Sequence, residues 1–214
     1  MLSTDDNSNA QIFKRNPTTG QYASNQTITA SNSTGGCISG DGQFLGFQEV
    51  VNTYQIHRFN SNTNQYDSFQ NFTGLPGFAY GCQFLENNNF LIVNLFLPKV
   101  FKFDGMSYAS HQSLKNNNLT TFPILAYRNP YLMQPANDPS NNLVIYFHEY
   151  NQTSDQWESN FQESIPNQFF DVAISANLKF IAMSSITGSS VIEEGSVANG
   201  YSSFKSLNTA SVVS

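Results

Sequence analysis

The chain has little charge. Asp, Glu, Lys and Arg make up 11% of its 214 residues, against roughly 25% in an average globular protein. Positive charge is the scarcer sign, with nine Lys and Arg against fifteen Asp and Glu, for a net charge of −6. Binding to nucleic acid or to an anionic membrane surface needs clustered basic residues. The composition therefore argues against both kinds of partner.

Long hydrophobic runs are also lacking. The longest, residues 90–97, has the length of a strand and is interrupted by Asn94, whereas a membrane span needs about 20 apolar residues. Residues 1–8 contain no basic residue and no hydrophobic stretch, so they do not resemble a signal peptide. We expect no membrane span in this chain and, at face value, a cytoplasmic location.

A repeat is the strongest pattern present. Each unit carries a β-branched residue at nearly even spacing, with intervals of 44, 44, 44 and 47, and an aromatic residue near its end. The β-branched residues are Ile12, Ile56, Val100, Val144 and Val191, and the aromatic residues are Tyr22, Tyr66, Tyr108, Trp157 and Tyr201. A period of about 40–45 is typical of a β-propeller with four-stranded antiparallel blades. We predict about five such blades and almost no helix.

Each unit is predicted to contain strands A to D in order. A type I′ turn is expected at Asp41-Gly42, between strands A and B of the second unit. The first unit lacks strand A and holds at most a stub of strand B. Either residues 206–214 supply that strand and close a ring of five, or the chain is part of a larger propeller. The predicted units are 1–34, 35–79, 80–122, 123–169 and 170–214.

The repeat resembles a degenerate member of the WD40 family. Residues 39–45, Ser-Gly-Asp-Gly-Gln-Phe-Leu, resemble that family's turn between strands A and B. Residues 100–104, Val-Phe-Lys-Phe-Asp, resemble the strand that ends in Trp-Asp there, with Phe in place of Trp. The resemblance implies a rigid scaffold for protein–protein contacts, usually without enzymatic activity.

The two cysteines occupy the same place in consecutive units. Cys37 and Cys82 each follow a glycine and are 45 residues apart. Equivalent positions of adjacent blades rarely reach the short Cα separation that a disulfide requires. We therefore expect two small buried thiols rather than a bond.

Catalytic constellations are not found in the sequence. His57, His111 and His148 fall in different units, which disfavours a shared metal site, and there is no Walker loop, nucleophile elbow or Cys-x-x-Cys motif. A propeller glycosidase needs at least two carboxylates near the axis. The strand A segments supply only Asp171. We expect no cofactor, no metal and no enzymatic activity.

A non-catalytic binding module is the resulting prediction, with a protein or peptide partner held on the face of the B–C and D–A loops. Its alternative is a carbohydrate- or ligand-binding propeller from an extracellular or membrane-anchored protein. Apolar residues in loops would form the binding patch. These residues are Phe72, Leu75, Phe78 and Tyr80 in one D–A loop and Leu95 and Phe96 in a B–C loop.

Overall fold

All regular structure in the described residues is β-strand, which confirms the all-β prediction. The computed structural model describes residues 2–4, 9–29, 34–50, 52–75, 77, 81–94, 97–114, 126–128, 130–138, 140, 142–164, 169–175, 177–185, 189–196 and 200–208. No helix in these ranges has the length and hydropathy of a membrane-spanning helix.

In the described ranges, nineteen strands form five antiparallel sheets, in each of which neighbouring strands follow one another along the chain. Sheet one has three strands: β1 Leu2–Thr4, β2 Asn9–Arg15 and β3 Tyr22–Thr29. Sheet two has β4 Thr34–Ile38, β5 Phe44–Val50, β6 Thr53–Asn60 and β7 Gln65–Thr73. Sheet three has β8 Gly81–Leu85, β9 Phe90–Asn94, β10 Lys99–Phe103 and β11 Tyr108–Ser113.

The remaining two sheets are also four-stranded. Sheet four has β12 Ala126–Arg128, β13 Tyr131–Asn137, β14 Leu143–Asn151 and β15 Gln156–Ser164. Sheet five has β16 Phe169–Ile174, β17 Phe180–Ser185, β18 Ser189–Ser196 and β19 Gly200–Asn208. The chain divides into two compact units, Met1–Ser113 with sheets one to three and Leu114–Ser214 with sheets four and five.

In the first unit, sheet two is buried on both faces because successive side chains of a strand point to opposite sides. Leu45 and Phe47 of β5 pack with Ala10 and Ile12 of sheet one. Phe44, from the same strand, joins the cluster that sheet two forms with sheet three. That cluster holds Tyr54, Ile56, Phe72, Leu75, Leu91, Val93, Phe101 and Tyr108. The apolar faces of neighbouring sheets therefore form the core between them.

A one-residue shift of register recurs in every sheet, between the second and third strands of sheet one and between the third and fourth strands of the other four. The residues that precede it are Ile12, Ile56, Val100, Phe147 and Ile192. The first three members of the predicted repeat are thus correct, but Val144 and Val191 are wrong by three residues and by one. In β14 every side chain from Val144 to Phe147 is buried, so hydrophobicity alone does not reveal which residue is equivalent.

The aromatic residues of the repeat do share one register. In every sheet, the residue paired with this aromatic residue lies three positions beyond the residue that precedes the shift. They are Tyr22, Tyr66, Tyr108, Trp157 and Tyr201. A serine, which the sequence pattern did not reveal, faces the residue just after each shift: Ser24, Ser68, Ser110, Ser159 and Ser203.

Glutamine side chains connect adjacent sheets at this register. The amide of Gln70 accepts a hydrogen bond from the Tyr108 N–H (2.7 Å) and donates one to the Tyr108 carbonyl oxygen (2.7 Å). Gln26 makes the same pair of bonds to the backbone of Tyr66, at 2.7 and 2.9 Å. Each glutamine therefore satisfies a peptide group on the outer strand of the next sheet.

A disulfide joins the first strands of sheets two and three. Cys37 of β4 and Cys82 of β8 are bonded, with their Cα atoms 5.4 Å apart. Our prediction of free thiols was wrong because these two strands lie directly against each other, within the distance that a disulfide spans. A structural disulfide is typical of proteins from oxidising compartments.

Gly46 is required by the close packing beside this disulfide. It pairs with Cys37 in register. A Cβ atom at Gly46 would lie 2.9 Å from the hydroxyl oxygen of Tyr54, whose ring is fully buried. A larger residue at this position would force the Tyr54 ring out of the core.

Removing the disulfide should destabilise the chain. Replacing both cysteines (C37S/C82S) frees a loop of 45 residues, and chain entropy predicts a loss of about 4 kcal/mol in the free energy of unfolding. Urea denaturation with and without reductant measures this loss. Reductant should lower the midpoint of the wild type and leave the double variant unchanged. Two free thiols in the unreduced, denatured wild type would contradict the bond.

The glutamine contacts should also contribute measurably. Gln70→Ala leaves two backbone groups of Tyr108 without their partners, which should lower the free energy of unfolding by about 1–3 kcal/mol. Asn71→Ala is the matched control, because Asn71 is the next residue of the same strand and is exposed. Equal stability losses in the two variants, measured by urea denaturation, would refute a specific role for Gln70.

Candidate functional site

The turn between β4 and β5 places a carboxylate at one edge of sheet two. The Ser39 hydroxyl donates to Asp41 Oδ1 (2.7 Å), and the Gln43 N–H donates to the same oxygen (2.9 Å). Ser39 Oγ in turn accepts from the Phe44 N–H (2.9 Å). Gly42 has φ = 71°, which is why glycine suits this position. The predicted hairpin is confirmed, but its turn is not the expected type I′, because Gly42 has a positive φ and Asp41 does not. Asp41 is fixed at the tip of this hairpin.

The same turn occurs in sheet five with an amide in place of the carboxylate. The Ser175 hydroxyl donates to Asn177 Oδ1 (2.7 Å), and the Lys179 N–H donates to that oxygen (3.2 Å). Ser175 Oγ accepts from the Phe180 N–H at 2.9 Å. The turn therefore forms with Asn as well as with Asp, and its geometry does not require the negative charge of Asp41.

A groove of 300 Å³ lies beside Asp41, between sheets one and two. We call it the Lys14 groove. Its polar lining includes Lys14, Asn25, Asp41 and Tyr66, and its apolar lining includes Ile12 and Phe59. The second strand of sheet one, β2, contributes the cation of Lys14, and the turn of sheet two contributes the carboxylate of Asp41. A small molecule in the groove would thus meet both charges.

The hydrogen bonds of the groove set the protonation of its groups. Burial tends to raise the pKa of the Asp41 carboxyl, but hydrogen bonds, chiefly from the Gln43 N–H and the Ser39 hydroxyl, hold that pKa below its usual range. Burial and the charge of Asp41 raise the pKa of Tyr66, whose hydroxyl donates to the Gly42 carbonyl oxygen (2.7 Å). At neutral pH the groove therefore offers a carboxylate and a neutral phenol.

Lys14 belongs to a register position that is basic throughout the first unit. Its Nζ donates to Asn64 Oδ1 (2.6 Å). The equivalent residues are Arg58 in sheet two and Lys102 in sheet three. Like Lys14, each lies two positions beyond the residue that precedes the register shift. In the second unit the same position holds Glu149 and Glu194.

A second cavity, of 480 Å³, lies next to the groove and shares Gln43 and Phe59 with it. We call it the Arg58 pocket. Its lining includes Arg58, Asp67 and Phe69. The two cavities therefore lie side by side at the turn edge of sheet two.

The histidines are not brought together. His57 stacks on Phe47, with ring centroids 5.3 Å apart, and its Nε2 lies 2.9 Å from Gln55 Oε1. His148 makes a similar contact with Gln134 Oε1, at 2.8 Å. In the part of the chain that the structure describes, no three His, Cys, Asp or Glu side chains are grouped as metal ligands.

The predicted binding patch is only partly described. Phe72 lies in β7 and stacks on Phe101, with ring centroids 4.2 Å apart, and both Phe72 and Leu75 are buried in the core cluster. Neither side chain is the exposed loop residue that we expected. Phe72 belongs to β7, which extends to Thr73, and Leu75 lies just beyond that strand and packs into the core cluster. The other predicted residues, Phe78, Tyr80, Leu95 and Phe96, lie outside the described residues.

The carboxylate that the sequence offered for glycoside hydrolysis, Asp171, is not one of the residues that line the groove. Asp171 lies in β16, opposite Ser184 in the ladder. Sequence reasoning did not assign chemistry to Lys14, Asp41 or Arg58, because neither their type nor their spacing matches a known motif. The signal that could have found Asp41 was the hairpin turn, which was predicted for its geometry alone.

Comparison with known proteins shows a similarity of fold. No protein-family model matches the chain, and no curated protein matches it. The structure of a periplasmic gluconolactonase of Pseudomonas aeruginosa is similar to this one, with a TM-score of 0.74 and 11% sequence identity, and the similarity covers 98% of this chain.

Two further solved structures agree with this likeness. Proteins described as candidate 6-phosphogluconolactonases from Bacteroides uniformis and Bacteroides fragilis give TM-scores of 0.73 and 0.71, at 10% and 12% identity. Each similarity covers 97% of this chain. The chain covers 70%, 69% and 66% of the Bacteroides uniformis, Bacteroides fragilis and Pseudomonas chains.

The chain has a propeller-type fold. The similar structures are β-propellers described as lactonases, which overturns our prediction of a non-catalytic WD40-like module and of no enzymatic activity. The argument for that prediction was wrong because it considered only metal sites, nucleophile motifs and paired carboxylates. Hydrolysis of an ester can proceed with one base and one group that stabilises the oxyanion.

Protonation of His57 should make stability depend on pH. Burial lowers its pKa below the ordinary 6.5, against the opposing effect of the Asp67 charge. The unfolded chain therefore binds a proton at a higher pH than the folded chain does, so the free energy of unfolding should fall as pH drops below 6.5. Urea denaturation of wild type and His57→Gln between pH 5 and 8 measures this. Parallel curves for the two proteins would contradict it.

Proposed function

We propose that the chain is a hydrolase that opens sugar lactones. The single observation that supports this is the likeness of its fold to structures described as gluconolactonase and 6-phosphogluconolactonase. A fold alone is weak grounds for a function, so the proposal also needs a site. Each four-stranded sheet is proposed to be one blade of a propeller.

The Lys14 groove has the groups that such a reaction needs. Water adds to the lactone carbonyl carbon, the ring C–O bond breaks, the ring oxygen takes a proton, and a hydroxy acid results. Asp41 is the proposed base that removes a proton from the attacking water. Lys14 is the proposed cation that stabilises the negative oxygen of the tetrahedral intermediate.

The groove also suits the shape and polarity of a sugar ring. Ile12 and Phe59 supply apolar surface for C–H groups, and the Asn25 amide supplies polar atoms for hydroxyls. Sites of this kind combine an apolar lining with a few polar groups that fix orientation. The volume of 300 Å³ matches a small ligand.

Hydrolysis of gluconolactone should be faster with the protein than in buffer. Because the product is an acid, proton release followed with an indicator dye measures the rate. Asp41→Asn should lower the catalysed rate by about a hundredfold or more, since it removes a general base. The turn should survive, because Asn177 makes the same hydrogen bonds within its own turn in sheet five, and only the bond from Asn88 Nδ2 to Asp41 Oδ2 is lost.

Lys14→Met tests the second role, with Lys102→Met as its control, because Lys102 occupies the same register in sheet three. We expect a loss of about a hundredfold for Lys14→Met and wild-type rates for Lys102→Met. If activity survives Asp41→Asn, the proposed site is wrong and the active site lies elsewhere, but the proposed function still stands. No acceleration of gluconolactone or 6-phosphogluconolactone hydrolysis by the folded wild type would reject the function itself.

A further inference from the structure

Arg58 is held in place without a charged partner. Its guanidinium carbon lies 5.8 Å from the centroid of the Phe44 ring and 5.9 Å from that of Phe69. Such contacts position a guanidinium but leave its N–H donors unused. The backbone of Arg58 pairs with both neighbouring strands, but within the described residues its side chain makes no hydrogen bond and no ion pair. Its five donors therefore remain available at an exposed position.

Further donors line the same pocket. Ser61, Ser68 and Gln43 also line the cavity, and each carries a side-chain hydrogen-bond donor. Across the ranges that the structure covers, none of these three side chains has a hydrogen-bond partner. One cation and several neutral donors thus lie around a space of 480 Å³.

Asp67, the carboxylate that lines the pocket among the described residues, is partly engaged. Asp67 pairs with Arg58 in the ladder, but the hydrogen bond that one of its oxygens accepts comes from the Asn60 amide, at 2.7 Å. The negative charge of Asp67 is therefore expected to weaken anion binding. It does not occupy the place of the anion, because Asp67 makes no ion pair with the Arg58 guanidinium in the described residues.

We propose that the Arg58 pocket binds a small oxyanion, either a phosphate group or a carboxylate. The planar fork of a guanidinium matches both groups with two parallel hydrogen bonds. The serine hydroxyls and the Gln43 amide would supply the remaining donors. This site is separate from the Asp41 and Lys14 chemistry and does not depend on the lactonase proposal.

Titration calorimetry with inorganic phosphate and, separately, with gluconate tests the proposal at constant ionic strength set with NaCl. The wild type should bind at least one of the two probes with saturation at one site per chain. Arg58→Gln should weaken binding by about tenfold or more, because charge-assisted hydrogen bonds are lost. Arg58→Lys should fall between them, since it keeps the charge and loses the fork.

Two further variants make the test specific. Lys102→Gln removes the same charge at the equivalent register of sheet three and should bind as the wild type does. Asp67→Asn removes the negative charge in the pocket and should tighten binding. No saturable binding of either probe by the wild type would overturn the site. An equal loss in Arg58→Gln and Lys102→Gln would overturn it too, because it would indicate general charge attraction.

Discussion

The structure of the first unit depends on sheets that must be covered on both faces. β5 carries apolar side chains on each side, so sheet two is stable only between two neighbours. Burial of apolar surface supplies the driving force, but it does not fix the sliding of one sheet against another. That sliding is prevented by directional contacts: the Gln26 and Gln70 side chains on the backbones of the next sheet, and the disulfide between β4 and β8. The Lys14 groove and the Arg58 pocket both lie where these sheets end in turns. The contacts that prevent the sheets from sliding therefore also hold the residues that line the two cavities in place.

The sequence allowed the all-β class, the order of strands and the Asp41-Gly42 hairpin to be predicted. These features depend on local patterns, namely apolar runs, turn residues and a repeat of aromatic residues. The register in sheet four was predicted wrongly because four consecutive buried residues, Val144 to Phe147, carry no alternation. The Cys37–Cys82 bond was missed for a different reason. Whether two first strands approach within 5.4 Å is a property of packing, which spacing along the chain does not express.

The candidate site was less predictable than the fold. Lys14 and Asp41 are 27 residues apart in sequence and meet at one groove only because sheet one packs on sheet two. Neither belongs to a motif, and a single carboxylate was taken as a reason to reject enzymatic activity. That reasoning holds for glycoside cleavage with two carboxyl groups, but it does not extend to esters. The loop patch was predicted from apolar residues in assumed loops, and β7 includes one of them, Phe72, within a buried strand.

The charged position that follows each register shift shows that the architecture does not determine the sign of the local charge. Lys14, Arg58 and Lys102 hold it in the first unit, and Glu149 and Glu194 hold it in the second. The backbone pairing around it is the same in each case, so the ladder tolerates either sign. The sign of the charge at this position therefore differs from sheet to sheet without any change in the strands that carry it. Sheets with the same ladder thus present edges that differ in the ions they attract.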